Sequence, residues 1–165
     1  MINPNDLREI LFNISKDIIL PSFGNLKKNQ ISYKGGKDIV TDIDISVEKK
    51  LNNILPKLIH NSNFVGEESY SKNNNILNYY LSEDYCWTVD PIDGTSNFAK
   101  SRDRFAVMVA LTKSTKIIQS FIYKPLNEDL MHADNLGTYL NNNKINLNKR
   151  INIENATGSI STKYW

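Results

Sequence analysis

Leu7, Leu11, Ile14 and Ile18 recur at helical spacing, and Asn3 with Pro4 ahead of them reads as an N-cap and a first helical residue. This predicts an amphipathic helix to about Ile19, with Pro21 and Gly24 marking a kink or frayed end. A second helix is predicted from about Ile45, with Val47, Leu51, Ile54 and Leu58 on one face and Pro56 kinking or ending it. Short β-branched and aromatic runs then predict strands around residues 64–65, 85–89, 105–111, 117–123, 130–133 and 138–140. Residues 71–75 read as a polar loop and 76–81 as a helical turn. Links are expected at 112–116 and 125–129, and a turn at 141–143 leads into 144–147. Two helices ahead of a run of mainly antiparallel strands give an α+β fold, the helices packed on the sheet.

Composition narrows the function. The chain has 165 residues, one domain by length, and 40% of them are hydrophobic, enough for a core of its own. Net charge is +2 with acids and bases interspersed, so nucleic acid is not an expected partner. No stretch is long enough to span a membrane, and Asp6, Arg8 and Glu9 interrupt any signal-peptide pattern. Cys86 is the single cysteine, which forbids an intrachain disulfide and fits a cytoplasmic setting.

The chemistry concentrates in the run Trp87-Thr-Val-Asp-Pro-Ile-Asp-Gly-Thr-Ser-Asn-Phe98. Thr88 and Val89 read as the end of a strand. Pro91 pushes Asp90 towards an extended conformation, and the chain should turn at Gly94 into a short helix at Thr95 or Ser96. Asp90 and Asp93 therefore stand at a strand end beside a helix start. Oxygen ligands select hard cations such as Mg²⁺, and free N–H groups at Gly94, Thr95 and Ser96 attract a phosphate. Asp-Gly pairs are also ordinary turn chemistry. Two further segments raise the run above that reading: Phe64-Val-Gly-Glu-Glu-Ser69, and Lys34-Gly-Gly-Lys-Asp-Ile-Val-Thr-Asp-Ile-Asp44. Alone, the first would be a solvated acidic turn, and Asp44 a helix N-cap. His60 and His132 sit in no recognisable motif, and acids without nearby His or Cys do not suggest zinc.

Taken together, and in this order, the three segments resemble the inositol monophosphatase family of Mg²⁺-dependent, lithium-sensitive phosphatases. The resemblance implies the first domain of the inositol monophosphatase / fructose-bisphosphatase-like fold. It implies that Glu67, Asp90, Asp93 and the carbonyl of Ile92 bind Mg²⁺, two or three ions in a complete site, while Glu67 also activates water. Thr95 paired with Asp44 would position that water, Gly94, Thr95 and Ser96 would hold the phosphate, and Lys34 with its glycines would form a mobile flap. Glu68 would support the site rather than ligate. The implied partner is a small phosphorylated metabolite such as inositol 1-phosphate, with nucleotide 3′,5′-bisphosphate, fructose 1,6-bisphosphate or histidinol phosphate as alternatives, and a homodimer is a candidate assembly.

The resemblance extends through residues 105–111, 122–125 and 137–141. Only Gly137 stands where the family has Gly-x-Gly, and Asn142 replaces a turn glycine, as asparagine can. The family's later Trp-Asp-x-Ala segment, with a further metal aspartate, has no counterpart, and residues 158–165 read as an interrupted strand or loop. The chain is therefore expected to be the N-terminal metal-binding domain of a two-domain enzyme. The alternative is a catalytically inactive half-domain that binds metal or a partner subunit.

Overall fold

The structure is a computed structural model, and it describes residues 1–34, 38–146 and 154. Helix α1 (Pro4–Ile14) begins where the sequence places it. The Asn3 side chain accepts the Asn5 N–H at 3.0 Å, and Pro4 supplies a preset φ where no N–H is needed. Leu7, Leu11 and Ile14 are buried. The helix does not stop at Ile19. It widens into a π turn at Ser15–Ile19, with the Leu20 N–H reaching back to the Ser15 carbonyl, and continues as α2 (Leu20–Ser22). Pro21 has no N–H to give to the preceding turn, and the π turn is the distortion beside it.

A hairpin of β1 (Ile31–Lys34) and β2 (Asp38–Thr41) follows, with Ile31 opposite Thr41 and Lys34 opposite Asp38. Its tip, including Gly35, Gly36 and Lys37, lies outside the described residues. Helix α3 (Asp42–Leu58) starts three residues before the expected Ile45, because Thr41 is the N-cap. The Thr41 hydroxyl accepts the N–H groups of Ile43 at 3.2 Å and Asp44 at 3.4 Å, and Asp44 answers by accepting the Thr41 N–H at 2.8 Å. Asp44 is thus the far half of a capping box, not the cap itself. Pro56 neither breaks nor ends the helix, which runs on to Leu58. The buried stripe is Ile43, Val47, Leu51 and Leu55, while Leu58 is 38% exposed, so the predicted face drifts by about one position over its last turn.

Seven strands form one sheet in the order β3-β4-β5-β6-β7-β8-β9. Strand β3 (Asn63–Gly66) runs parallel to β4 (Tyr85–Asp93), and the crossover carries α4 (Glu67–Lys72) and a 3₁₀ turn at Asn74–Leu81. The loop expected at 71–75 shrinks to Asn73, which caps Asn75 at 3.1 Å. After β4 come α5 (Thr95–Ala99) and the antiparallel strands β5 (Ala106–Lys113), β6 (Lys116–Lys124), β7 (Asp129–Asp134), β8 (Gly137–Leu140) and β9 (Asn143–Lys144). The link between β5 and β6 is only Ser114 and Thr115, both at positive φ, and no Gly or Asn announces so tight a turn. Asn141 and Asn142 also take positive φ, as expected of the residues standing in for the hairpin glycine. Leu147 of the predicted last strand and the segment 158–165 lie outside the described residues.

The core joins both long helices to one face of the sheet. Leu7, Leu11, Val47, Leu51 and Leu55 share a single cluster with Trp87, Val89, Val107, Val109, Phe121 and Tyr123. Gln119 clips the N-terminus to β6, accepting the Ile2 N–H at 2.7 Å and donating to its carbonyl at 3.0 Å.

Candidate functional site

Strand β4 does not end at Val89. It pairs with β5 through Asp90 opposite Met108, slips, and pairs again at Asp93 opposite Ala106. The slip is a bulge, and Pro91, which has no N–H for the ladder, sits inside it. The bulge turns Ile92 into the core, where it is 1% exposed, and leaves Asp93 facing solvent. Gly94 follows at φ +85° and caps α5. A Cβ on Gly94 would lie 2.6 Å from the Arg104 carbonyl, so the turn and the start of β5 are in backbone contact there.

Five elements carry the expected residues: β1, α3, α4, β4 and α5. Asp44, 1% exposed, sits in the first turn of α3. Its Oδ2 accepts from the Thr41 hydroxyl at 2.5 Å and its Oδ1 from the Thr95 hydroxyl at 3.1 Å. The Thr95 hydroxyl also lies 2.9 Å from the Ile92 carbonyl. One proton serves both acceptors, so Thr95 has an oxygen lone pair to offer and an orientation fixed from two sides. Burial raises the Asp44 carboxyl above its usual range, with the hydrogen bonds from Thr41 and Thr95 pulling the other way.

Asp90 is pushed up to about 8, first by burial and then by the charges of Glu67, Asp93 and Asp44. Its Oδ1 is buried and has no hydrogen-bond partner. Glu67 opens α4 at the end of β3. Its carboxylate meets the Lys34 ammonium at 3.4 Å, and the same ammonium binds Glu68 at 2.5 Å. Burial lowers the Lys34 pKa, but Glu68 and Glu67 outweigh it and the net shift is upward. Glu68 is raised by burial, against the pull of Lys34. Ser96 is exposed, its hydroxyl 3.2 Å from the Lys100 ammonium.

Glu48 is the residue that sequence reasoning passed over. It is buried in α3 and accepts the Glu68 N–H at 2.7 Å, the Ser69 N–H at 2.9 Å and the Ser69 hydroxyl at 2.5 Å. It fastens the turn that carries Glu67. A Cβ on Gly66 would collide with the Glu48 carboxylate, so Gly66 is there to let that acid in. An acid one position beyond Val47, on the buried side of an amphipathic helix, was the available signal.

Oxygen donors only, one of them buried and unpartnered, make a chemistry that fits a hard divalent cation. As the side chains lie, no three acids or imidazoles among the described residues are gathered closely enough to hold one. The Lys34 ammonium occupies Glu67 and Glu68 instead.

The profile of the inositol monophosphatase family matches residues 7–164. The chain belongs to the inositol monophosphatase family. A fructose-1,6-bisphosphatase/inositol-1-monophosphatase of Aquifex aeolicus is 30% identical over 140 residues, which cover 84% of this chain and 50% of that protein. An inositol monophosphatase of Dictyostelium discoideum is 33% identical over 137 residues, 82% of this chain and 48% of that protein. The chain spans about half the length of the curated relatives it matches. The fold agrees with the crystal structure of the extragenic suppressor protein suhB from Bartonella henselae, at TM-score 0.73 and 28% identity, over 88% of this chain and 54% of that one. A calcium-bound family protein from Staphylococcus aureus has the same fold, at TM-score 0.70 and 22% identity, over 94% of this chain and 58% of that one. Among the described residues no helix is long and apolar enough to cross a membrane.

Proposed function

We propose that this chain forms the N-terminal, metal-binding half of a Mg²⁺-dependent phosphomonoesterase acting on a small phosphorylated metabolite, inositol 1-phosphate first among the candidates. The observation that carries the reading is the Asp44–Thr95–Ile92 array beside the Asp90 carboxyl, whose buried Oδ1 has no hydrogen-bond partner. Glu67, Asp90, Asp93 and the Ile92 carbonyl hold Mg²⁺, which when bound offsets phosphate charge and makes a water more acidic. Thr95, oriented by Asp44, positions the attacking water through its free lone pair, and Glu67 accepts the proton. Backbone N–H groups at Gly94, Thr95 and Ser96 steady the phosphate oxygens. Glu67 must leave Lys34 to act, so Lys34 on the hairpin serves as a flap residue that moves as the site fills.

Nucleotide 3′,5′-bisphosphate, fructose 1,6-bisphosphate and histidinol phosphate are the alternative substrates. A cytoplasmic setting belongs to the same reading, since the single cysteine, Cys86, is buried and free, as suits a reducing compartment. The seating of Lys34 on Glu67 and Glu68 favours one second reading, a half-domain without turnover that binds metal or a partner subunit. The deciding experiment fuses this chain ahead of the C-terminal half of the Aquifex aeolicus relative. The fusion is expected to release phosphate from inositol 1-phosphate only with Mg²⁺, and Thr95→Ala to lower kcat about 10²-fold with KM little changed. A folded fusion whose turnover ignores Mg²⁺ or survives Thr95→Ala contradicts the proposal.

A further inference from the structure

The parallel ladder of β3 and β4 closes at Gly66 opposite Val89. Glu67 and Asp90 follow these two residues, so the ladder brings two proposed ligands side by side but no longer holds the first of them. Asp90 stays in its strand, opposite Met108 of β5, while Glu67 passes into α4. Helix α4 has no cap of its own, because its N-cap is Gly66, which has no side chain to accept the first N–H groups. Glu48 supplies the cap from another helix. Its Oε2 accepts the Glu68 N–H and its Oε1 the Ser69 N–H, the two donors that a local Ser or Asp cap would serve. The Ser69 hydroxyl adds a third bond to Oε1. Asp44 stands four residues earlier on the same side of α3 and holds the Thr95 hydroxyl.

We infer that Glu48 is a positioning residue for the cation: by capping α4 from α3, it sets the Glu67 carboxylate against Asp90 so that both can ligate. The inference rests on the metal-binding reading above and adds to it a residue that acts through Glu67. One helix then spaces the two halves of the site, with Glu48 fixing the Glu67 turn and Asp44 the Thr95 turn. A carboxylate suits the place because it presents acceptors only, whereas a glutamine would turn an amide N–H towards one of the three donors. Gly66 has the extended backbone of an ordinary cap, φ −105° and ψ 155°. Its missing side chain is therefore no demand of the turn. It answers to the Glu48 carboxylate, into which a Cβ would run.

The test is calorimetric titration of Mg²⁺ into the full chain, with thermal melts verifying that each variant is folded at the titration temperature. Glu48→Gln, which keeps the volume, and Glu48→Ala are each expected to weaken Mg²⁺ about tenfold, as loss of a hydrogen bond supporting a ligand does. Leu55→Ala, also on α3 and fully buried, lowers stability and is expected to leave the affinity unchanged. Gly66→Ser is expected to act in opposite directions in two backgrounds. In the wild type its side chain meets the Glu48 carboxylate and weakens Mg²⁺, while in Glu48→Ala it caps α4 locally and restores most of the lost affinity. Wild-type affinity in the Glu48 variants overturns the inference and leaves the metal-binding reading standing. So does a loss that Leu55→Ala reproduces or that Gly66→Ser fails to repair. No Mg²⁺ heat in the wild type overturns both.

Discussion

The two faces of the seven-stranded sheet differ by a single step along β4. Val89, Val109, Phe121, His132 and Tyr139 make one row across five strands; the first four are buried, and the first three share the core cluster with the helices. The next row, Asp90, Met108, Ile122, Met131 and Leu140, lies on the other face and is half-open, with Met131 and Leu140 each 38% exposed. The first row fixes the strands, and the second presents what they carry. Because side chains alternate, a carboxylate one residue beyond a core valine is held rigidly yet faces outwards. The bulge repeats the arrangement, with Ile92 in and Asp93 out. Reactive groups on the rim of a packed scaffold are where precision and access coexist.

The largest contrast should appear in stability. Trp87→Ala, on the packed face at 0% exposure, is expected to cost about 3–5 kcal/mol, and Met108→Ala, on the open face, under about 1.5 kcal/mol. Urea unfolding checks both, and equal losses would break the distinction between the faces. Next comes Gly66→Ala, where the new methyl meets the Glu48 carboxylate. It should destabilise by about 1–3 kcal/mol. Pairing it with Glu48→Ala, which makes room, should recover part of that loss, and strict additivity would show that the clash is not the cause.

The smallest effect concerns His132, stacked 4.7 Å from Tyr139 and 6.1 Å from Phe121, with its Nδ1 buried and unpartnered. Burial lowers its pKa below 6.5, with Asp134 opposing weakly. The unfolded chain therefore takes up the proton more readily, so this contribution is complete above about pH 6.5 and is lost as pH falls from there through the lower folded-state pKa. Urea midpoints of wild type and His132→Phe should diverge between about pH 7 and pH 5, the wild type losing more. Parallel curves would mean that the imidazole does not titrate in that window.

The β4 motif was legible in part, because its residues have local reasons: β-branched residues for a strand and Gly94 for the turn. The run of the strand past Val89 and the bulge at Pro91 were not, since they depend on pairing with β5. The second helix was legible in its stripe but not in its start, since Asp42–Asp44 look like turn residues until Thr41 caps them. The β1–β2 hairpin left no mark in the hydrophobic pattern, because its strands are four residues each and only Val40 and Thr41 are buried. Glu48 was invisible for another reason: its partners, Glu68 and Ser69, are 20 and 21 residues away, and only the fold brings them near. The pairing of Asp44 with Thr95, 51 residues apart, was expected from the family resemblance and could not have come from spacing.

The most direct measurement of the central claim, that Glu67, Asp90 and Asp93 together hold a hard divalent cation, is calorimetric titration of Mg²⁺ into the chain and into Asp90→Asn. The account predicts weak, saturable heat in the wild type that the substitution abolishes while the thermal melt stays cooperative. Indistinguishable heats for the two proteins would contradict it.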